Sequence, residues 1–288
     1  MTTTETMTTE AAPGFRSAST LPLRVEAVRQ IRRRRTSVTL ALMVALPVIV
    51  WAALTIGGTS NNANSVPTLI DVATSSGINF AFAVLFLASG FLLSVPVALF
   101  FGDTVASEAN WSSLRYLLVA PVSRARLLYS KAVVALGLTA VALILLPATA
   151  LAIGMAAYGA GDLHLPTSGS LPLGTALPRF AIIAVYMLVC QLSVAAFALW
   201  LSTLTDAPLG AVGGAVGLVI VSSILDNISA LGTLRTYLPT HGMYAWADVL
   251  QPNPEWTGMI EGVSLSLSFA ALFAALALRH FRNQDIVS

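Results

Sequence analysis

Charge is what this chain has least of. Only 10% of its 288 residues are Asp, Glu, Lys or Arg, while 56% are hydrophobic; a soluble domain carries about 25% charged residues. A globule of this length still needs a wet surface, so a larger core cannot absorb the deficit. A water-soluble fold is excluded, and the chain belongs in a bilayer. Cysteine is nearly absent too. Cys190, the single one, sits in an apolar run and allows neither an intrachain disulfide nor a Cys-based metal site. Lysine is equally scarce, with Lys131 alone. It follows Tyr129 and Ser130, so there is no phosphate-cradling loop ending in Gly-Lys-Ser/Thr and the chain cannot power itself by ATP. His164, His241 and His280 are isolated, without the paired His and Glu of a zinc hydrolase, and no Gly-x-Ser-x-Gly elbow occurs. The chain is expected to be no enzyme, to hold no cofactor or metal and to bind no nucleic acid.

What is there is apolar sequence in long runs. A span needs roughly 20 mostly apolar residues to cross about 30 Å of hydrocarbon. Six stretches qualify: about 38–56, 77–101, 131–158, 179–204, 208–229 and 259–278. The first follows a 37-residue leader and lacks a small-residue cleavage pattern, so it reads as a retained helix and not a signal peptide. The expected fold is all-α and polytopic, a six-span domain over 37–283 with a short tail at 284–288.

Basic residues orient it. Thirteen of the fifteen Lys and Arg precede the first span, separate the second from the third, or follow the last. Only Arg179 and Arg235 fall on the other side. Both termini are therefore expected in the cytoplasm of a multi-pass protein of the cell (inner or plasma) membrane. The opposite loops, about 57–76, 159–178 and 230–258, are rich in Asn, Gly, Ser and Pro. The aromatic stretch 238–256 reads either as a plain external loop or as a segment dipping back into the membrane surface.

Residues 1–20 are Thr-rich and polar and read as a disordered tail. Over 21–36, Leu21, Val25, Val28 and Ile31 form a narrow apolar stripe among arginines, which suits a short helix lying on membrane lipids. The other feature is an interruption at 102–131, "GDTVASEANWSSLRYLLVAPVSRARLLYSK", which places Asp103, Glu108, Arg115, Arg124, Arg126 and Lys131 between two spans. A passive linker needs only about 2–8 residues. Trp111, Leu114 and Leu118 share a helical face, Pro121 breaks the helix, and Ser123 is placed to cap the next one. The reading is a cytoplasmic hairpin over 102–130. Glu108 and Arg115, seven residues apart, are expected to be free to meet a partner chain.

This segment resembles the cytoplasmic coupling segment of type 2 ATP-binding-cassette (ABC) exporter permeases. Glu108, Leu114, Arg115, Leu117, Leu118, Pro121, Ser123, Arg124 and Lys131 match that pattern, although "NWSS" replaces the family's Gly-Thr step. The basic N-terminal helix, the six-span layout and the ending "RHFRNQD" are similar as well. The resemblance implies a permease subunit working by alternating access. It would pair with a second permease, identical or homologous, and with two separate ATPase subunits that hold ATP and Mg. Coupling would fall to Glu108, Arg115, Pro121 and Arg124.

The spans are almost bare of ionisable groups, which argues against ion coupling and fits an apolar or amphipathic cargo such as a drug or lipid. Gln191 is the only strongly polar side chain deep in a span, suited to a helix-to-helix hydrogen bond or to lining a pathway. Gly210 with Gly214 and Gly213 with Gly217 form overlapping small-xxx-small pairs, for packing within the subunit or at a subunit interface or pathway wall. Pro47, Pro96 and Pro147 are expected to kink their spans. A function of another class uses the same hairpin: a non-transporting membrane anchor or sensor that docks a cytoplasmic partner.

Overall fold

The computed structural model describes residues 23–57, 69–110, 123–166 and 169–283. In order come α1 (Leu23–Ile31), α2 (Arg34–Gly57), α3 (Gly77–Ser89), α4 (Ser94–Asn110) and α5 (Arg124–Tyr158). After them are α6 (Leu173–Leu204), α7 (Pro208–Asp226) and α8 (Thr257–Asn283). Among the described residues, α2, α5, α6, α7 and α8 are long and apolar enough to cross a membrane. The pair α3 and α4, bent by 47°, makes a sixth span if counted as one. The protein is a multi-pass, mostly helical membrane protein. Residues 1–20, 284–288 and 111–122 lie outside the described residues, and with them Arg115, Pro121 and the amphipathic pattern around Trp111.

α6 is the central post. Its apolar window is 61% buried, against 17% for α2 and for α8, so those two stand at the periphery. Phe180, Ile183, Met187, Cys190 and Val194 give α6 a continuous inward stripe. Trp200 stacks on Phe273 of α8, and Phe197 meets the same ring edge-on with centroids 4.9 Å apart. With no hydrophobic drive between helices in lipid, such packing and a few hydrogen bonds hold the bundle. One of these bonds is Ser94 Oγ donating to Gln191 Oε1 at 3.1 Å, both buried.

Several elements depart from their sequence expectations. The run 77–101 is not one helix: the chain turns at 90–93, and the Tyr244 hydroxyl fills the space beside Gly90 where a Cβ would sit. Pro96 therefore falls in the first turn of α4, where its missing N–H costs nothing, and does not kink a continuous span. The expected helix 21–36 divides, with Arg32 and Arg33 separating α1 from α2. Among the described residues the all-α expectation meets one exception, a two-residue antiparallel ladder pairing Leu163 with Leu171 and His164 with Ser170. Gly159 and Gly169, at φ 75° and 85°, supply the left-handed turns that let both leucines point inward.

The end of the bundle away from α1 is capped by short 3₁₀ segments, Ser229–Tyr237 and His241–Leu250. Met243, Trp246, Val249 and Leu250 are buried at spacings of three and four, so the second segment packs inward as a plug and is not a plain loop. Trp246 stacks on Phe82, and Arg179 Nη1 donates to the carbonyls of Val249 and Gln251, both at 2.8 Å, closing the segment's end.

α3 and α5 cross where Gly77 meets Gly154. A Cβ on Gly77 would lie 2.6 Å from Met155 N and 2.7 Å from Gly154 C, against backbone that cannot yield. Around it, Gly77 N donates to Gly159 O at 2.9 Å, and Asn79 Nδ2 donates to His164 O at 2.7 Å. Gly213, by contrast, has nothing within 4 Å of an added Cβ. Gly77→Ala is therefore expected to destabilise the purified protein by about 1–3 kcal/mol, the usual cost of overpacking, while Gly213→Ala leaves its thermal melt unchanged; melts of the two variants in one detergent check this.

Candidate functional site

The polar residues that an oily chain can least afford collect at one end. α1 turns Glu26 and Gln30 toward the bundle, where they are 5% and 6% exposed. α4 brings Asp103, Ser107 and Glu108, and α5 brings Lys131. Lys131 Nζ lies 2.5 Å from Glu108 Oε1 and 3.3 Å from Glu26 Oε1, and Lys131 and Glu108 are each 1% exposed. Arg29 pairs with Glu26 at 2.8 Å and also with Glu108. Gln30 Nε2 donates to Glu26 Oε1 at 2.8 Å. Beside this group Asp103 is paired with Arg33 at 2.7 Å and with Arg35, and Arg33 Nη1 reaches Ser107 Oγ at 3.3 Å.

Three carboxylates thus meet four cations drawn from α1, α2, α4, α5 and the link between α1 and α2. The helices explain the convergence: Glu26, Arg29 and Gln30 sit at i, i+3 and i+4 on one face of α1. Lys131, two turns into α5, is a compact charge with three donors, which can serve two carboxylates from different helices at once. On the far side of α4, the Ser202 hydroxyl oxygen of α6 accepts from the N–H groups of Val105 and Ala106, both at 3.0 Å, so α4 is held from two directions.

The expectation that Glu108 is free to meet a partner chain is corrected by this geometry. Glu108 is buried in the interior of the chain, and among the described residues it pairs with Arg29, 79 positions before it, and Lys131, 23 after it. Ser123 is likewise no side-chain cap; its backbone carbonyl receives the first bonds of α5, from Arg126 and Leu127. Arg124, a further expected coupling residue, lies at the surface with Nη1 donating to Arg282 O at 3.3 Å. The structure therefore joins Glu108 to Lys131 and separates both from Arg124.

The remaining candidates lie elsewhere. Gln191 makes the Ser94 bond described above. Among the glycines of α7, a Cβ on Gly214 would come 2.8 Å from Leu201 Cδ1 of α6, one on Gly210 would sit at an ordinary 3.7 Å from Ala207, and Gly213 and Gly217 open on empty space. The tight approach to α7 is made from α4, where a Cβ on Gly102 would meet Val212 N at 3.1 Å. Between the 90–93 bend and the other half of α7 lies a cleft of about 380 Å³. Leu87, Phe91, Ile220 and Ile224 give it an apolar wall, and Ser223 and Asn227 a polar edge.

Residues 38–287 match a family described as a protein of unknown function, DUF2705. The chain belongs to the DUF2705 family. No curated protein matches it. The family match takes in Asp103, Glu108 and Lys131 but begins after α1, so the α1 half of the charge cluster stands ahead of the matched region.

Sequence reasoning missed Glu26, Arg29, Gln30, Arg33 and Arg35 as members of the cluster. The available signal was charge complementarity: two acids at the end of a span, in a chain with thirteen, opposite a run of arginines. Glu26 also gives the cluster a pH signature. Burial alone would raise its pKa, but Lys131, Gln30 and Arg29 together hold it below the ordinary 4.5. The folded state then binds fewer protons than the unfolded one, so this contribution is fully present above about pH 4.5 and is lost as the pH falls through the depressed folded value. Glu26→Gln should lower stability at pH 7 yet flatten its decline between pH 6 and 3; parallel unfolding curves for the variant and the parent protein across that range would show Glu26 to be outside the cluster's electrostatics.

Proposed function

We propose that this DUF2705 protein is the permease subunit of an ABC exporter, moving an apolar or amphipathic substrate outward by alternating access. Two separate ATPase subunits supply the energy, carrying ATP and Mg, and a second permease subunit, identical or homologous, completes the pathway. In this reading the protein sits in the cell membrane with both termini and segment 102–130 in the cytoplasm, as the distribution of arginine favours.

The single observation that carries the proposal is the foot of that segment. Its two arms, the end of α4 and the start of α5, are tied to each other by the buried Glu108–Lys131 pair at 2.5 Å. A force applied to the tip is then delivered to both spans together instead of being dissipated by one arm sliding past the other. α5 has 35 residues, about 52 Å at 1.5 Å per residue, whereas the hydrocarbon core is about 30 Å. Its first turns therefore reach well past the lipid, toward water and a partner. The 380 Å³ cleft, apolar with a polar edge, has the size and character of a site for an amphipathic molecule.

Glu108 serves here as the rigid base of the hairpin, and contact with an ATPase falls to Arg115, Pro121 and Arg124. The test is photocrosslinking in native membranes from an unnatural residue at position 117. The expected adduct is a soluble ATPase bearing a Gly-Lys-Ser/Thr phosphate loop, its yield changing with added nucleotide and falling at least fivefold in Pro121→Ala. Adducts confined to lipid, or to a partner without such a loop, would overturn the exporter reading, and the latter result would favour a membrane anchor or sensor.

A further inference from the structure

The faces of α1 are reversed relative to those of a helix in a water-soluble fold. Its buried residues are Glu26 and Gln30, while Leu23, Val25, Val28 and Ile31 are exposed at 47%, 57%, 41% and 53%. Helical geometry places Arg24 between Val28 and Ile31 on that outward face. Arg32 and Arg34 follow at the turn into α2, and all three arginines are exposed. The arginines of this region are thus divided. Arg29, Arg33 and Arg35 point into the charge cluster, whereas Arg24, Arg32 and Arg34 form no ion pair among the described residues.

Two residues separate α1 from α2, a helix apolar enough to cross the bilayer, so α1 is held near the headgroups. Four large apolar side chains and Arg24 on one face, with Arg32 and Arg34 exposed just past its end, are poorly matched to water. They are also poorly matched to a zwitterionic surface, which leaves the cations without counter-charge. Acyl chains beneath and phosphates carrying net negative charge at the rim satisfy both halves. We infer that the outward face of α1 is a binding surface for acidic phospholipids, and that their charge holds α1 in the docked position in which Glu26 and Arg29 complete the ion cluster on its other face. Lipid and cluster stabilise the same placement of one rigid helix, so each strengthens the other by linkage. The inference does not depend on the exporter reading and requires no ATPase to test.

The experiment uses the full chain with Cys190→Ser and a nitroxide attached at Val28→Cys, reconstituted in nanodiscs of phosphatidylcholine alone or with one third phosphatidylglycerol. With phosphatidylglycerol, the label should be accessible to oxygen, shielded from an aqueous nickel chelate and immobile. With phosphatidylcholine alone, the shielded fraction should fall. An arginine near an acidic surface contributes about a fivefold bias, so the combined variant R24Q/R32Q/R34Q should shift the docked population on the order of 100-fold and erase the difference between the two bilayers. Val25→Cys, labelled in the same way, guards against a local effect of the probe. The inference is overturned if either label is open to the nickel chelate in acidic bilayers, or if lipid-charge dependence survives in the triple variant. It also fails if the labels are shielded from oxygen and nickel alike, which would mean that protein, such as a second copy of this chain, covers the face.

Discussion

A lysine cannot be left bare in a place with almost no water, and the arrangement of one whole end of this protein follows from that. Lys131 is 1% exposed on a helix that is otherwise apolar for most of its length. An isolated ammonium there would cost several kcal/mol, so carboxylates must be brought to it. None lies nearby on α5. Glu108 is supplied by α4 and Glu26 by α1, and each in turn requires its own surroundings: Arg29 and Gln30 around the acids, and Ser202 behind α4. An apolar contact could hold these helices as firmly. What the ions add is position, because a buried charge tolerates few alternative placements of its partner.

This constraint links the elements that a transport mechanism would have to move together. The end of α4 and the start of α5 form the two arms of segment 102–130, and α1 precedes α2 in the chain while packing on α5. The end of α4 cannot move apart from the start of α5 without breaking the Glu108–Lys131 pair. At the opposite end the bundle is closed differently, by backbone contacts at Gly77 and Gly154 and by the buried Trp246. One end is thus held by charge and the other by close packing. The cleft beside the 90–93 bend is lined by α3, the C-terminal half of α7 and Tyr244 of the 3₁₀ plug.

The spans were legible in the sequence because each is a long apolar run, a signal that survives without any knowledge of neighbours. The bend in 77–101 was not, since Gly90 and Ser94 sit inside a stretch whose hydropathy never drops and only the distant Tyr244 shows why the chain turns there. The apolar stripe of α1 was legible at Val25, Val28 and Ile31, while Leu21 lies outside the described residues. The burial of Glu26 and Gln30 on the other side was not, because in a membrane protein the polar side of a helix is as eligible for burial as the apolar one. Glu108 was singled out for the rarity of charge, but its burial was not legible, because the partners it has among the described residues are 23 and 79 residues away. The ladder at 163–171 and the 3₁₀ plug are too short for a periodicity to reveal them.

The central claim is that Glu108 and Lys131 act as one unit that ties α4 to α5. A double-mutant cycle with Glu108→Gln, Lys131→Met and the combined variant, read as unfolding free energies of the protein in one detergent, tests it most directly. Each single change leaves a buried charge without its partner and should cost about 3–5 kcal/mol. The pair should then cost much less than the sum, with an interaction energy of about 2 kcal/mol or more. Additivity within about 0.5 kcal/mol would mean that the two charges do not depend on each other, and the account of this end of the protein would fail.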